Sequence, residues 1–96
     1  MIQSFGSKAT EDLYHGRLSK ESRKIPQNLW TVAFRKLDML NTAMQLLDLK
    51  SPPANRLERL KGKSMGKYSI RINKQYRIVF EFRDNHAYEV EITDYH

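Results

Sequence analysis

The chain has 96 residues, no cysteine and a formal charge of +6, from 17 Lys or Arg against 11 Asp or Glu. That length predicts a single domain, 1–96, with a small core, and the lack of thiols excludes a disulfide framework or a thiolate metal site and points to a cytoplasmic home. The opening stretch Met1–Gly6 has no signal-peptide core, no run approaches the roughly 20 apolar residues that span a bilayer, and the surplus charge points to nucleic acid, an acidic protein or an anionic surface.

Ile2 to Phe5 alternates like a short edge strand. Ser7 suits a helix N-cap, and Lys8 to Leu18 predicts a short helix with Glu11 and Asp12 early, where the helix dipole favours anions. Leu13, Tyr14 and Leu18 give it a thin apolar side, weakened by Gly16. Ser19 to Lys24 is polar, a loop or a frayed helix end.

Pro26 suits a first helical turn. From Pro26 to Leu49, Leu29, Ala33, Leu37, Leu40, Met44 and Leu47 recur at helical spacing and predict one long helix. Trp30, Phe34 and Met39 widen its stripe, while Arg35, Lys36, Asp38, Asn41 and Gln45 are expected to face water. Pro52 and Pro53 end it.

Beyond Asn55 the period changes to two. Tyr68, Ile70 and Ile72 share one face, then Tyr76, Ile78, Phe80 and Phe82, then Tyr88, Val90 and Ile92, with turns at Asn73–Gln75 and Asp84–His86. The expected fold is α+β: two N-terminal helices packed on an antiparallel sheet of about four to five strands.

Between Arg56 and Arg77 stand eight Lys or Arg residues and one acid, Glu58. A three-residue turn at Asn73–Gln75 places Arg71 opposite Arg77, and like charges across a ladder destabilise it. Either an anion such as a phosphate sits between the two guanidinium groups, or the register differs and they splay into water. Lys61, Lys63 and Lys67, close in sequence, favour the anion. There is no P-loop, dinucleotide turn or paired-His zinc motif, so no cofactor or metal is expected. His15 and His86 read as surface residues.

Arg56-Leu57-Glu58-x-Leu60-x-Gly62, Ser69-Ile70-Arg71-Ile72-Asn73, Tyr76-Arg77-Ile78 and the ending Asp94-Tyr95-His96 resemble the HigB family of bacterial toxins, a branch of the RelE/ParE superfamily of toxin–antitoxin systems. The likeness runs from Met1-Ile2-x-Ser4-Phe5 to the last residue. It implies a toxin that enters the ribosomal A site and cleaves bound mRNA without a metal, by attack of a ribose 2′-hydroxyl on the adjacent phosphate. It implies that Arg71 and Arg77 clamp that phosphate with help from Lys61, that His96 exchanges a proton, that Tyr95 stacks on a base or orients the nucleophile, and that Asp94 orients His96 or takes a proton. Arg56, Lys63 and Lys67 would hold RNA backbone. Some relatives carry histidine where this chain has Glu58, whose reference pKa of about 4.3 suits a neutral-pH base less well than the histidine value of about 6.5. Glu58 is therefore either the base or a partner of Arg56, Arg71 or Arg77. The resemblance also implies a HigA-like helix-turn-helix antitoxin, through which the complex would bind operator DNA. Two other readings share these features: a ParE-like gyrase inhibitor, and a basic RNA-binding domain without catalysis.

Overall fold

The computed structural model of the chain describes residues 1–94. Two helices, α1 (Lys8–Tyr14) and α2 (Trp30–Thr42), cover one face of a four-stranded antiparallel sheet. The strands are β1 (Glu58–Arg59), β2 (Tyr68–Arg71), β3 (Tyr76–Arg83) and β4 (His86–Asp94), side by side in chain order. Leu13, Ala33, Leu37 and Leu40 from the helices meet Ile70, Ile78, Phe80, Ala87 and Val90 from the sheet. At about 25 cal/mol per Å² of apolar surface, this interface is the main source of stability.

The hairpin turns follow from their residues. Asn73 Oδ1 accepts the backbone N–H groups of Gln75 and Tyr76, both at 2.8 Å. This is an Asx turn, and it joins β2 to β3. Asp84 and Asn85 take positive φ, 52° and 65°, and form the two-residue link between the paired Arg83 and His86. Asp and Asn tolerate that region better than other side chains do.

The free edge of β4 is covered by the N-terminus. Ile2 and Phe5 bridge Ala87 and Val90 in parallel, so the expected edge strand exists as two isolated bridges. Gly6 suits this close approach, because a Cβ would lie 3.0 Å from the Glu89 carbonyl oxygen. Ser7 caps α1 through Thr10 N–H at 3.2 Å, and the buried Thr10 hydroxyl accepts Ile92 N–H at 2.9 Å, fastening α1 to β4.

Four expectations change. First, α1 ends at Tyr14, with Gly16 left-handed at φ 72°, and Leu18 is exposed. Second, α2 runs Trp30–Thr42 rather than Pro26 to Leu49, with a separate 3-10 turn at Gln27–Leu29 before it. Asp48 Oδ2 accepts the N–H groups of Met44 and Gln45 at 2.9 and 3.1 Å, and Gln45 and Asp48 form a capping box on a new 3-10 turn, Leu46–Lys50. Met44 and Leu47 consequently leave the stripe and are exposed. Third, Lys36 does not face water. It is 6% exposed, and its ammonium donates to the Asn55 side-chain oxygen. Fourth, Glu89 adopts φ 52° where the β3–β4 register slips. The bulge turns Ala87 into the core and Tyr88 out of it. Tyr88 instead carries the Arg83 guanidinium 3.8 Å from its ring centroid, a cation–π contact.

The polar stretch after α1 is built around Asp12. Its buried carboxylate accepts Ser19 Oγ at 2.6 Å, Lys8 Nζ at 3.0 Å and Arg17 Nη1 at 3.3 Å. The Ser19 hydrogen bond, then those from Lys8 and Arg17, hold its pKa down to about 2 against the burial that opposes them. A folded pKa below the unfolded one gives stability that is complete above the unfolded value, about 3.9, and is lost as pH falls through the folded one. Asp12→Asn is therefore expected to lower Tm at neutral pH, with the gap from wild type closing between about pH 4 and pH 2. A gap that stays constant in thermal melts across that range contradicts this account of Asp12.

Candidate functional site

The face of the sheet away from the helices carries two rows. One runs Thr93, Arg77, Arg71 across β4, β3 and β2; the next runs Glu91, Val79, Ser69, Glu58 across all four strands. Arg71 stands opposite Arg77, the register implied by the short turn.

Arg77 is fixed in place and nearly buried, at 8% exposure. Its Nε donates to Ser69 Oγ at 2.8 Å and its Nη2 to the Arg56 carbonyl at 2.7 Å. Arg56 presents that carbonyl from a left-handed conformation, φ 45°, at the end of the Pro53–Asn55 turn. Glu58 Oε1 lies 3.6 Å from Arg77 Nη2, close enough for an ion pair and too far for a hydrogen bond. The Glu58 side chain is 54% exposed, so the pair is solvent-screened. Arg71 is half-buried, and its Nε donates to the Asn73 carbonyl at 3.0 Å across the turn. The result is two guanidinium groups on adjacent strands, one locked by neutral oxygens and one steadied by a turn. A doubly or singly charged anion between them would remove their mutual repulsion.

Asp94 closes the same end of the sheet: it pairs with Tyr76, and its Oδ2 accepts Gln75 Nε2 at 3.0 Å. Lys61, Lys63 and Lys67 lie on the β1–β2 loop, which contains a 3-10 turn at Gly62–Ser64. Lys61 and Lys63 are exposed; Lys67 is half-buried, and its carbonyl accepts Leu60 N–H at 2.9 Å. Tyr95 and His96 lie outside the described residues.

Three contacts that shape the site cannot be read from the sequence, although two of their residues, Ser69 and Arg56, fall within the family motifs. The Ser69 hydroxyl and the Arg56 carbonyl hold Arg77, and the motifs that contain them do not say so. The third involves Asn55, fully buried, which accepts from Lys36 and donates through Nδ2 to the Leu49 carbonyl at 3.0 Å and the Ser51 carbonyl at 3.4 Å.

Two helices on a four-stranded antiparallel sheet, with basic side chains across its open face, define a RelE-like toxin fold. The chain superposes over its whole length on 98% of the YoeB chain in a YoeB–YefM complex from Staphylococcus aureus, with a TM-score of 0.61 at 20% identity. It matches 97% of a YoeB dimer structure from the same organism with a TM-score of 0.57 at 23% identity. The sequence narrows the class. A family model described as the RelE-like toxin of the type II toxin–antitoxin system HigB matches residues 3–96. Toxin HigB-1 of Vibrio cholerae is 41% identical over 87 residues, 91% of this chain and 90% of that protein. An uncharacterized protein of Haemophilus influenzae is 52% identical over 62 residues, 65% of this chain and 61% of that protein. The chain belongs to the HigB-like family of type II toxins.

Proposed function

We propose that this toxin is an endoribonuclease that cleaves mRNA in the ribosomal A site by 2′-hydroxyl attack. The observation that carries the reading is the Arg71–Arg77 pair, with Arg77 locked by Ser69 and the Arg56 carbonyl. A preorganised cation costs no reorganisation when charge develops on the phosphorane, which is where electrostatic catalysis gains most.

In this mechanism the 2′-oxygen forms a bond to phosphorus and gives its proton to a base. The P–O5′ bond breaks, and an acid protonates the departing 5′-oxygen. The products are a 2′,3′-cyclic phosphate and a 5′-hydroxyl. Arg71 and Arg77 hold the phosphate, Lys61 adds positive field, His96 serves the proton transfers, Asp94 orients His96 or takes a proton, and Tyr95 stacks on a base or orients the nucleophile. Arg56, Lys63 and Lys67 contact RNA backbone. The fully buried Phe80 is withdrawn from any stacking platform on β3, which weighs against a plain RNA-binding domain.

The toxin would act in the cytoplasm and be held inactive by a HigA-like helix-turn-helix antitoxin, whose complex with it binds operator DNA. The related fold of YoeB is named in complex with YefM, which supports an antitoxin partner here.

The test is cleavage of an mRNA on purified, programmed ribosomes, with the new ends identified chemically. Cyclic-phosphate ends are expected; 3′-hydroxyl and 5′-phosphate ends would contradict 2′-hydroxyl attack. The same assay assigns Glu58. Its ion pair with Arg77 makes it a positioning group in this reading. Glu58→Gln should therefore slow cleavage by less than about tenfold, whereas losing a general base costs about 10²–10⁴. A loss of a hundredfold or more would make Glu58 the base.

A further inference from the structure

A second basic recess adjoins the arginine pair. It is a cleft of about 460 Å³ between α2, the turn before β1 and the end of β2, and it is lined by Arg35, Lys36, Arg56 and Arg71, with Val32 and Ile72 on its apolar walls. Among the described residues no carboxylate lines it. Among the described residues none of these four cations is ion-paired with an acid. The Lys36 ammonium is held deep in the wall by a neutral amide oxygen, that of Asn55. Four cationic residues line one cleft with no counter-charge among the described residues, an arrangement that an entering anion stabilises.

The cleft is continuous with the site already described. Arg71 lines it and stands opposite Arg77. Arg56 also lines it, and its carbonyl accepts from Arg77.

We propose that this cleft is a second phosphate subsite, binding the backbone phosphate next to the scissile one on the same RNA strand, with Arg35 and Lys36 of α2 as its own cations and Val32 and Ile72 against the ribose. The proposal rests on the ribonuclease reading, because Arg71 is shared between the two phosphates. Burial, followed by the charge of Arg35, already pushes the Lys36 pKa down; a phosphate in the cleft reverses that direction.

The test uses the full chain titrated with 2′-O-methyl RNA, whose blocked 2′-oxygens prevent cleavage, followed through the arginine Nε–Hε signals by NMR. A tetranucleotide is compared with a dinucleotide that carries a single phosphate. Arg35 is exposed on α2 and glutamine is a good helix former, so Arg35→Gln keeps the fold. The variant is expected to bind the tetranucleotide about fivefold or more weakly, with a salt slope smaller by roughly 0.7, and to bind the dinucleotide as wild type does. Unchanged tetranucleotide affinity, or an equal loss on both RNAs, overturns the subsite. A glutamate-rich peptide is titrated in parallel. If its binding depends on Arg35 while RNA binding does not, the cleft takes an acidic protein segment and the proposal is overturned. Cleavage that still requires Arg77 while RNA binding ignores Arg35 sinks only this subsite; cleavage that ignores Arg77 sinks the ribonuclease reading instead.

Discussion

Replacing Arg77 by alanine should lower the rate of mRNA cleavage on programmed ribosomes by about 10²–10³, the usual effect of removing one preorganised group that stabilises transition-state charge. The geometry argues for the upper part of that range. Arg77 is the more buried of the paired arginines, and Ser69 Oγ and the Arg56 carbonyl are among the groups that hold it. Arg77→Lys should fail as well. A lysine ammonium is a point charge on a flexible stem and cannot span both oxygens while facing a phosphate. Its expected rate is at least about tenfold below wild type. Circular dichroism melts separate this from unfolding. A folded Arg77→Ala protein that cleaves within about threefold of wild type would remove Arg77 from the chemistry.

The second large effect is on stability. Asn55 is a buried joint: its amide nitrogen ties down the Leu49 and Ser51 carbonyls, and its oxygen receives the Lys36 ammonium. Asn55→Ala strands a buried charge and two carbonyl groups at once. The expected cost is on the order of 3 kcal/mol, a Tm fall of roughly 12–24 °C for a chain of this size. The mechanism is separable by a double-mutant cycle. In a Lys36→Met background no ammonium remains to be stranded, so Asn55→Ala should cost clearly less there. Equal costs in both backgrounds would mean that Lys36 does not depend on Asn55.

How much of this is legible in the sequence depends on whether the signal is local. The alternation of Tyr68, Ile70 and of Tyr76, Ile78, Phe80 locates β2 and β3, and the short Asn73–Gln75 turn puts Arg71 opposite Arg77. Those inferences need only residues a few positions apart. The end of α2 is also written locally, in Gln45 and Asp48, but a continuing apolar stripe through Met44 and Leu47 masks it. Tertiary packing offers no reason to extend the helix there, so the side-chain caps win over periodicity. The bulge at Glu89 is invisible, because a non-glycine residue at positive φ carries no composition signal, and it reverses Ala87 and Tyr88.

The site divides in the same way. Charge and family motifs single out Arg71, Arg77, Glu58 and the lysines of the β1–β2 loop. What holds Arg77, and what places Lys36 in the cleft wall, depends on contacts between residues 8 to 21 positions apart in sequence. A buried lysine on a helix looks in sequence like any solvated one. Only its meeting with Asn55, beyond two prolines, distinguishes it.

The proposed activity is the cutting of translated mRNA at the arginine pair. The most direct measurement is to induce the wild-type protein and its Arg77→Ala variant in a bacterium and map new 5′ ends across the transcriptome. Cuts inside translated frames, at set positions within codons, are expected in cells making the wild type and in none making the variant. Growth arrest without such cuts, or the same cuts from both proteins, would contradict it, and arrest accompanied by DNA-damage signalling would move the toxin to the gyrase-inhibiting class.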